Sequence, residues 1–152
     1  MRYQETGNVH KDFHLAMNTS IEYVLGRYGI EFLRELFRRT AQSVYRDIYD
    51  SLAKGNWKPL LEHWRYFYDR EGGEYEVTYV KDGFVFTVTD CPAARHLREK
   101  KVAVTDHFRL QDVLLNEGWS LGTPFNIKTE LLSEKSYRMS VILRNKESEL
   151  AG

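Results

Sequence analysis

Any chemistry this chain performs would gather around one cysteine and a handful of histidines. Cys91 falls where a strand pattern through Phe84, Phe86 and Val88 gives way to a helix pattern opened by Pro92. Proline is suited to the first helical position, where its missing N–H costs nothing. A thiol at or beside such an N-cap meets unpaired backbone N–H groups and the positive end of the helix dipole. With Arg95 about one turn further on, it tends toward thiolate. Cys91 is therefore a candidate nucleophile or metal ligand, and its expected signature is labelling by iodoacetamide faster than that of a free thiol. The alternative is a packed core thiol, since free cysteines are among the most buried residues.

The second corner of a possible site is His10 and His14, spaced i and i+4 near the start of the first helix pattern. Such a pair can bind one divalent metal ion or act as a base and its neighbour, activating water. Either histidine can equally be a half-exposed core residue. His96 and His107 could supply a proton, and Arg95 or Arg109 could hold a substrate carboxylate. Arg95 and His96 are adjacent, so on a helix they point about 100° apart and do not both face one site.

The elements that must position these residues are legible in the periodicity. A helix is expected over about Val9 to Tyr28, with Asn8 as N-cap, Gly29 as stop and Phe13, Met17, Ile21, Val24 and Tyr28 on one stripe. A second is expected as one run from Ile30 to Ala53, its stripe made of Leu33, Leu36, Phe37, Ala41, Val44, Ile48 and Leu52. Arg38 and Arg39 lie off that stripe and read as a solvated face or a site for an acidic ligand. Pro59 opens a third helix, closed by Gly72 and Gly73, which carries Glu62 and His63 as its polar residues of interest. From Glu74 the period falls to two, with Tyr75, Val77 and Tyr79, a turn at Lys81, Asp82 and Gly83, and then Phe84, Phe86 and Val88. After the helix at Pro92 comes a short helix over about Asp106 to Glu117, with Thr105 as N-cap and Gly118 as stop. Strands Phe125 to Leu132 and Tyr137 to Leu143 complete the pattern, joined by a polar turn over 133–136.

These patterns predict a single α+β domain over 1–152, its two hairpins forming one four-stranded antiparallel sheet with helices on one face. Lys and Arg number 22, as do Asp and Glu, so the formal net charge is zero; with no basic run to track phosphates, nucleic acid is not an expected partner. No apolar run approaches the ~20 residues of a membrane span, and the first residues lack a signal-peptide core. A lone cysteine forms no internal disulfide, and a cytoplasmic location is the expectation.

The chain resembles the small bacterial proteins of the L-2-amino-thiazoline-4-carboxylic acid hydrolase-like family. The resemblance is carried by 10–14 (HKDFH), Tyr23 through Gly29, 40–45 (TAQSVY), 71–73 (EGG) and above all 91–97 (CPAARHL). His107-Phe108 and 122–125 (GTPF) follow in order. It implies hydrolytic opening of a thiazoline ring, giving N-carbamoyl-cysteine. The family pattern carries a further cysteine after the aromatic at Phe108 and another in the last strand. This chain has Arg109 and Tyr137-Arg138-Met139 there, so a cysteine-rich metal or redox centre is not expected.

Two functions follow as alternatives. In a hydrolase, Cys91 attacks directly or His10 and His14 activate water with or without a divalent metal, His96 or His107 donates the proton, and Arg95 or Arg109 grips the carboxylate. In a non-catalytic module, a small molecule or metal binds between sheet and helices, as in a sensor or accessory subunit. The abundant aromatics suit pocket walls and core equally, and a homo-oligomer joined through aromatic helix faces is compatible with both.

Overall fold

The computed structural model describes residues 12–101, 107–133 and 135–144. Helices α1 (Asp12–Tyr28) and α2 (Ile30–Arg39) are followed by a π-helical turn (Thr40–Val44), α3 (Arg46–Ala53) and α4 (Lys58–Glu71). Strands β1 (Glu74–Val80) and β2 (Gly83–Asp90), helices α5 (Pro92–Glu99) and α6 (Leu110–Ser120), and strands β3 (Phe125–Leu131) and β4 (Tyr137–Leu143) complete the order. The fold is α+β. Its four strands make one antiparallel sheet in the order β1-β2-β4-β3, so the second hairpin docks on the first through β4.

Strand alternation explains why the helices take one face. Register pairs Phe84 with Val141, Phe86 with Met139 and Val88 with Tyr137, and all six are buried. Phe125 and Ile127 extend this apolar face onto β3, and Leu60, Leu61, Trp64 and Tyr68 of α4 close over it. The opposite face carries the alternate positions, among them Glu76, Thr87, Arg138 and Glu130 in one row across the sheet. A side-chain period of two with one face buried fixes this register, because a slip by one residue would turn Phe84 and Phe86 to solvent. The hydroxyls of Tyr68 and Tyr137 hydrogen-bond to each other beneath α4, so the one polar tip satisfies the other.

Gly72 ends α4 in the left-handed conformation, φ 75°, and its N–H bonds back to Asp69 O. The turn between β1 and β2 places Asp82 at φ 65°, a conformation that Asp tolerates better than most residues.

Three sequence expectations are corrected. Ile30 to Ala53 is not one helix: Tyr45 N–H bonds to Thr40 O, five residues back, forming the π turn. This wider turn carries Val44 past the inward face, leaving it 64 % exposed, and brings Tyr45 onto that face. The helix expected from Asp106 begins at Leu110, and His107 lies in the turn before it; Thr105 and Asp106 are outside the described residues. Nor does Gly118 stop that helix, which runs on to Ser120. A Cβ at Gly118 would stand 3.0 Å from both Ala41 Cβ and Arg38 Cα, so the glycine instead permits α6 to cross close against α2 and the π turn. Gln42 Nε2 donates to Gly118 O across this crossing at 3.0 Å.

Candidate functional site

Cys91 occupies the expected N-cap of α5, with extended backbone (φ −80°, ψ 120°) and Pro92 at the first helical turn. Its environment differs from a reactive thiol's. The residue is 2 % exposed, its backbone N–H bonds to Lys135 O, and its side chain makes no capping bond. Sγ instead accepts from Arg109 Nη2 at 3.3 Å. Arg109, itself buried, lies over the rings of Phe108 and Tyr137, each centroid 4.7 Å from Cζ. Its Nη1 donates to Asp112 Oδ2 at 2.7 Å. Cys91, Arg109 and Asp112 thus form a chain, with Arg109 committed at both ends of its guanidinium.

Asp112 lines a cavity of about 160 Å³, partly open to solvent, among residues of α1, α2, the π turn, α4, α6 and β4. Aromatic and thioether side chains dominate its wall: Phe13, Met17, Phe67, Trp64, Trp119 and Met139. Polar groups enter at His14, Thr40, Tyr45, His63, Tyr68, Gln111 and Asp112. The amphipathic pattern of α1 turns His14 inward, and α4 delivers His63 one residue before the buried Trp64.

Burial first, then the positive charge of His96 and Arg109, pushes the His14 imidazole down to about 4. Burial first, then Arg70, does the same for His63, also to about 4. Both rings are therefore neutral at pH 7, each offering one N–H donor and one acceptor nitrogen. Burial pushes the Asp112 carboxyl up, against the opposing pull of Arg109. Burial also raises the Tyr45 phenol.

The sequence candidates divide between the two sides of this arrangement. His14 and His96 come together, ring centroids 6.0 Å apart, and His14 Nε2 stands 4.0 Å from Glu71 Oε1, beyond hydrogen-bond length. Arg109 joins Cys91 and is near enough to act on His14. Of these, His14 lines the cavity, and Cys91 lies behind Arg109 rather than on the wall. Arg95 turns away, bonding Asp90 Oδ2 at 3.1 Å and Gly72 O at 2.9 Å. His107 is exposed and pairs with Glu22 at 2.9 Å. Arg38 and Arg39 both pair with Glu35 on the α2 surface. His10 lies outside the described residues. Among those that are described, no three His, Cys, Asp or Glu side chains cluster as a metal site would require.

Among the cavity residues that the sequence did not single out as site candidates are Tyr45, Tyr68, Asp112 and Trp119. Tyr45 reaches the wall only because the π turn shifts the helix phase, and short π segments inside α-helices frequently mark functional sites. Asp112 and Trp119 lie on α6, whose apolar residues read as ordinary core.

Comparison of the chain with models of known families, with curated proteins and with solved structures finds no match. Fold and site together define an α+β domain with an aromatic, histidine-bearing cavity between helices and sheet. No helix among the described residues is long and apolar enough to cross a membrane.

Proposed function

We propose that this chain is a small-molecule-binding module whose ligand is a single planar ring held in the cavity between α1, α4, α6 and the sheet. The observation that carries the reading is the cavity itself. Its volume of about 160 Å³ matches the ~150 Å³ that admits one benzene-sized ring, and its wall is aromatic with a few inward polar groups, as ligand sites are. The separation of Cys91 from that wall favours reversible binding over a covalent thiol intermediate.

Hydrolysis in the same cavity is the second reading, favoured by His14 and Asp112 lining one space. It needs a cation for the carboxylate of an amino-thiazoline acid, and Arg95 and Arg109 are both engaged elsewhere. The two readings separate in one pair of assays. Titration with toluene and 2-pyridone, followed by tryptophan fluorescence from Trp64 and Trp119, is expected to give a saturable change. Leu115 of α6 also lines the cavity, and Leu115→Phe, which fills it, is expected to abolish the change. No response to either probe in the unmodified protein overturns the binding reading. Ring opening of 2-amino-thiazoline-4-carboxylate, assayed with and without divalent metals, would replace the module with the hydrolase.

A further inference from the structure

Within the cavity, three aromatic side chains from three separate elements converge at one end. Tyr45 follows the π turn, His63 belongs to α4 and Trp119 to α6. Their ring centroids are 5.0 Å (Tyr45 to His63), 5.7 Å (Tyr45 to Trp119) and 6.1 Å (His63 to Trp119) apart. All three line the cavity. Trp119 is 1 % exposed, and its Nε1 finds no hydrogen-bond acceptor among the described residues. An indole N–H can only donate, and one buried without an acceptor is an exception among native polar groups. Tyr45 adds a phenolic O–H, and His63 adds one donor and one acceptor on a neutral ring.

The charge on the cavity wall selects against anions. Asp112 is the cavity's charged side chain, and its partner Arg109 is held by Asp112 and Cys91. Among the described residues no Arg or Lys side chain lines the cavity, and Arg70, whose charge acts on His63, lies over the ring of Tyr66, so a carboxylate brought here would be desolvated beside Asp112 with no cation on the wall. A planar ring with a neutral acceptor atom would satisfy the indole N–H and pack against this cluster from the cavity side.

We propose that Tyr45, His63 and Trp119 form the specificity subsite of the cavity, and that its ligand is a neutral, single-ring heterocycle or aromatic bearing a carbonyl or ring-nitrogen acceptor. This rests on the cavity being a binding site, and the probes distinguish the two claims. Binding of toluene, 2-pyridone and benzoate is measured by calorimetry and by the indole N–H resonances of the isotopically labelled protein, where Trp119 is assigned against Trp57 and Trp64.

The expected result is that 2-pyridone, but not toluene, moves the Trp119 indole proton downfield. Trp119→Phe, which keeps an aromatic ring and removes the N–H, is expected to weaken 2-pyridone roughly tenfold, as loss of one buried hydrogen bond would, without weakening toluene. Tyr45→Phe offers a second variant with the ring retained, expected to weaken 2-pyridone alone. Benzoate is expected to bind at least about tenfold more weakly than 2-pyridone. If 2-pyridone binds and the Trp119 indole proton does not move, the subsite is overturned while the cavity stands as a site. Benzoate binding as tightly as 2-pyridone overturns the neutral class. Failure of every ring to bind overturns the cavity reading and the subsite together.

Discussion

Arg109 Nη2 lies 3.3 Å from Cys91 Sγ, and the same guanidinium holds Asp112 at 2.7 Å, so the thiol is tied into the wall that supports the cavity. The electrostatics of a helix N-terminus favoured a reactive thiol, but burial beneath Arg109, which bonds to Sγ, shields it.

Cys91 is accordingly expected to react with iodoacetamide more slowly than a free cysteine, at a rate set by opening of the fold, because alkylation requires an accessible sulfur. Arg109→Met should accelerate labelling and lower stability by about 3 kcal/mol in urea unfolding, since it strands the Asp112 carboxylate beside an apolar wall. Labelling of the native protein at the rate of a free thiol would show that Cys91 is not enclosed.

Stability should fall on mild acidification. His14 and His63 have folded-state values near 4, below the unfolded 6.5, so the unfolded chain binds more protons between those limits. Their contribution is complete above pH 6.5 and declines as the pH drops toward 4. By pH 4.5 the loss is up to about 2 kcal/mol for each histidine. Urea midpoints at pH 7, 5.5 and 4.5 measure it, and His14→Leu should reduce the slope by about half. Glu35, held down to about 2 by Arg38 and then Arg39, acts in a separate window below its ordinary 4.5. A midpoint unchanged from pH 7 to 4.5 would mean that neither imidazole is buried neutral.

The crossing at Gly118 should tolerate no side chain. In Gly118→Ala the new methyl meets Arg38 Cα and Ala41 Cβ at 3.0 Å, and a backbone contact cannot rotate aside. A loss of about 1 to 3 kcal/mol in thermal or urea unfolding is expected, as for overpacked cores. The emission of Trp119, the next residue, should shift with it. A variant as stable as the parent would show that α6 and the π turn can separate freely.

Local pattern alone determined the helices and strands of this protein apart from the break in the Ile30 to Ala53 run, together with the two hairpins, the single antiparallel sheet with helices on one face, and the N-cap position of Cys91. All of these follow from side-chain periods of two and 3.6 and from Pro and Gly at element ends, which act over a few residues. The same signals marked His14, with His10, as a candidate base or metal ligand and left His63 as a polar residue of interest, without saying what either would meet. Tertiary structure decided the rest. The π turn reassigned the inward face from Val44 to Tyr45, because a single-residue change of helical phase leaves the apolar pattern almost unaltered. Close approach at Gly118 let α6 bring Trp119 and Asp112 to the cavity, while Arg95 and His107 turned to partners of their own in Asp90 and Glu22. Convergence of Tyr45, His63 and Trp119 depends on how three elements cross on the sheet, and crossing geometry is set by packing among residues distant in the chain.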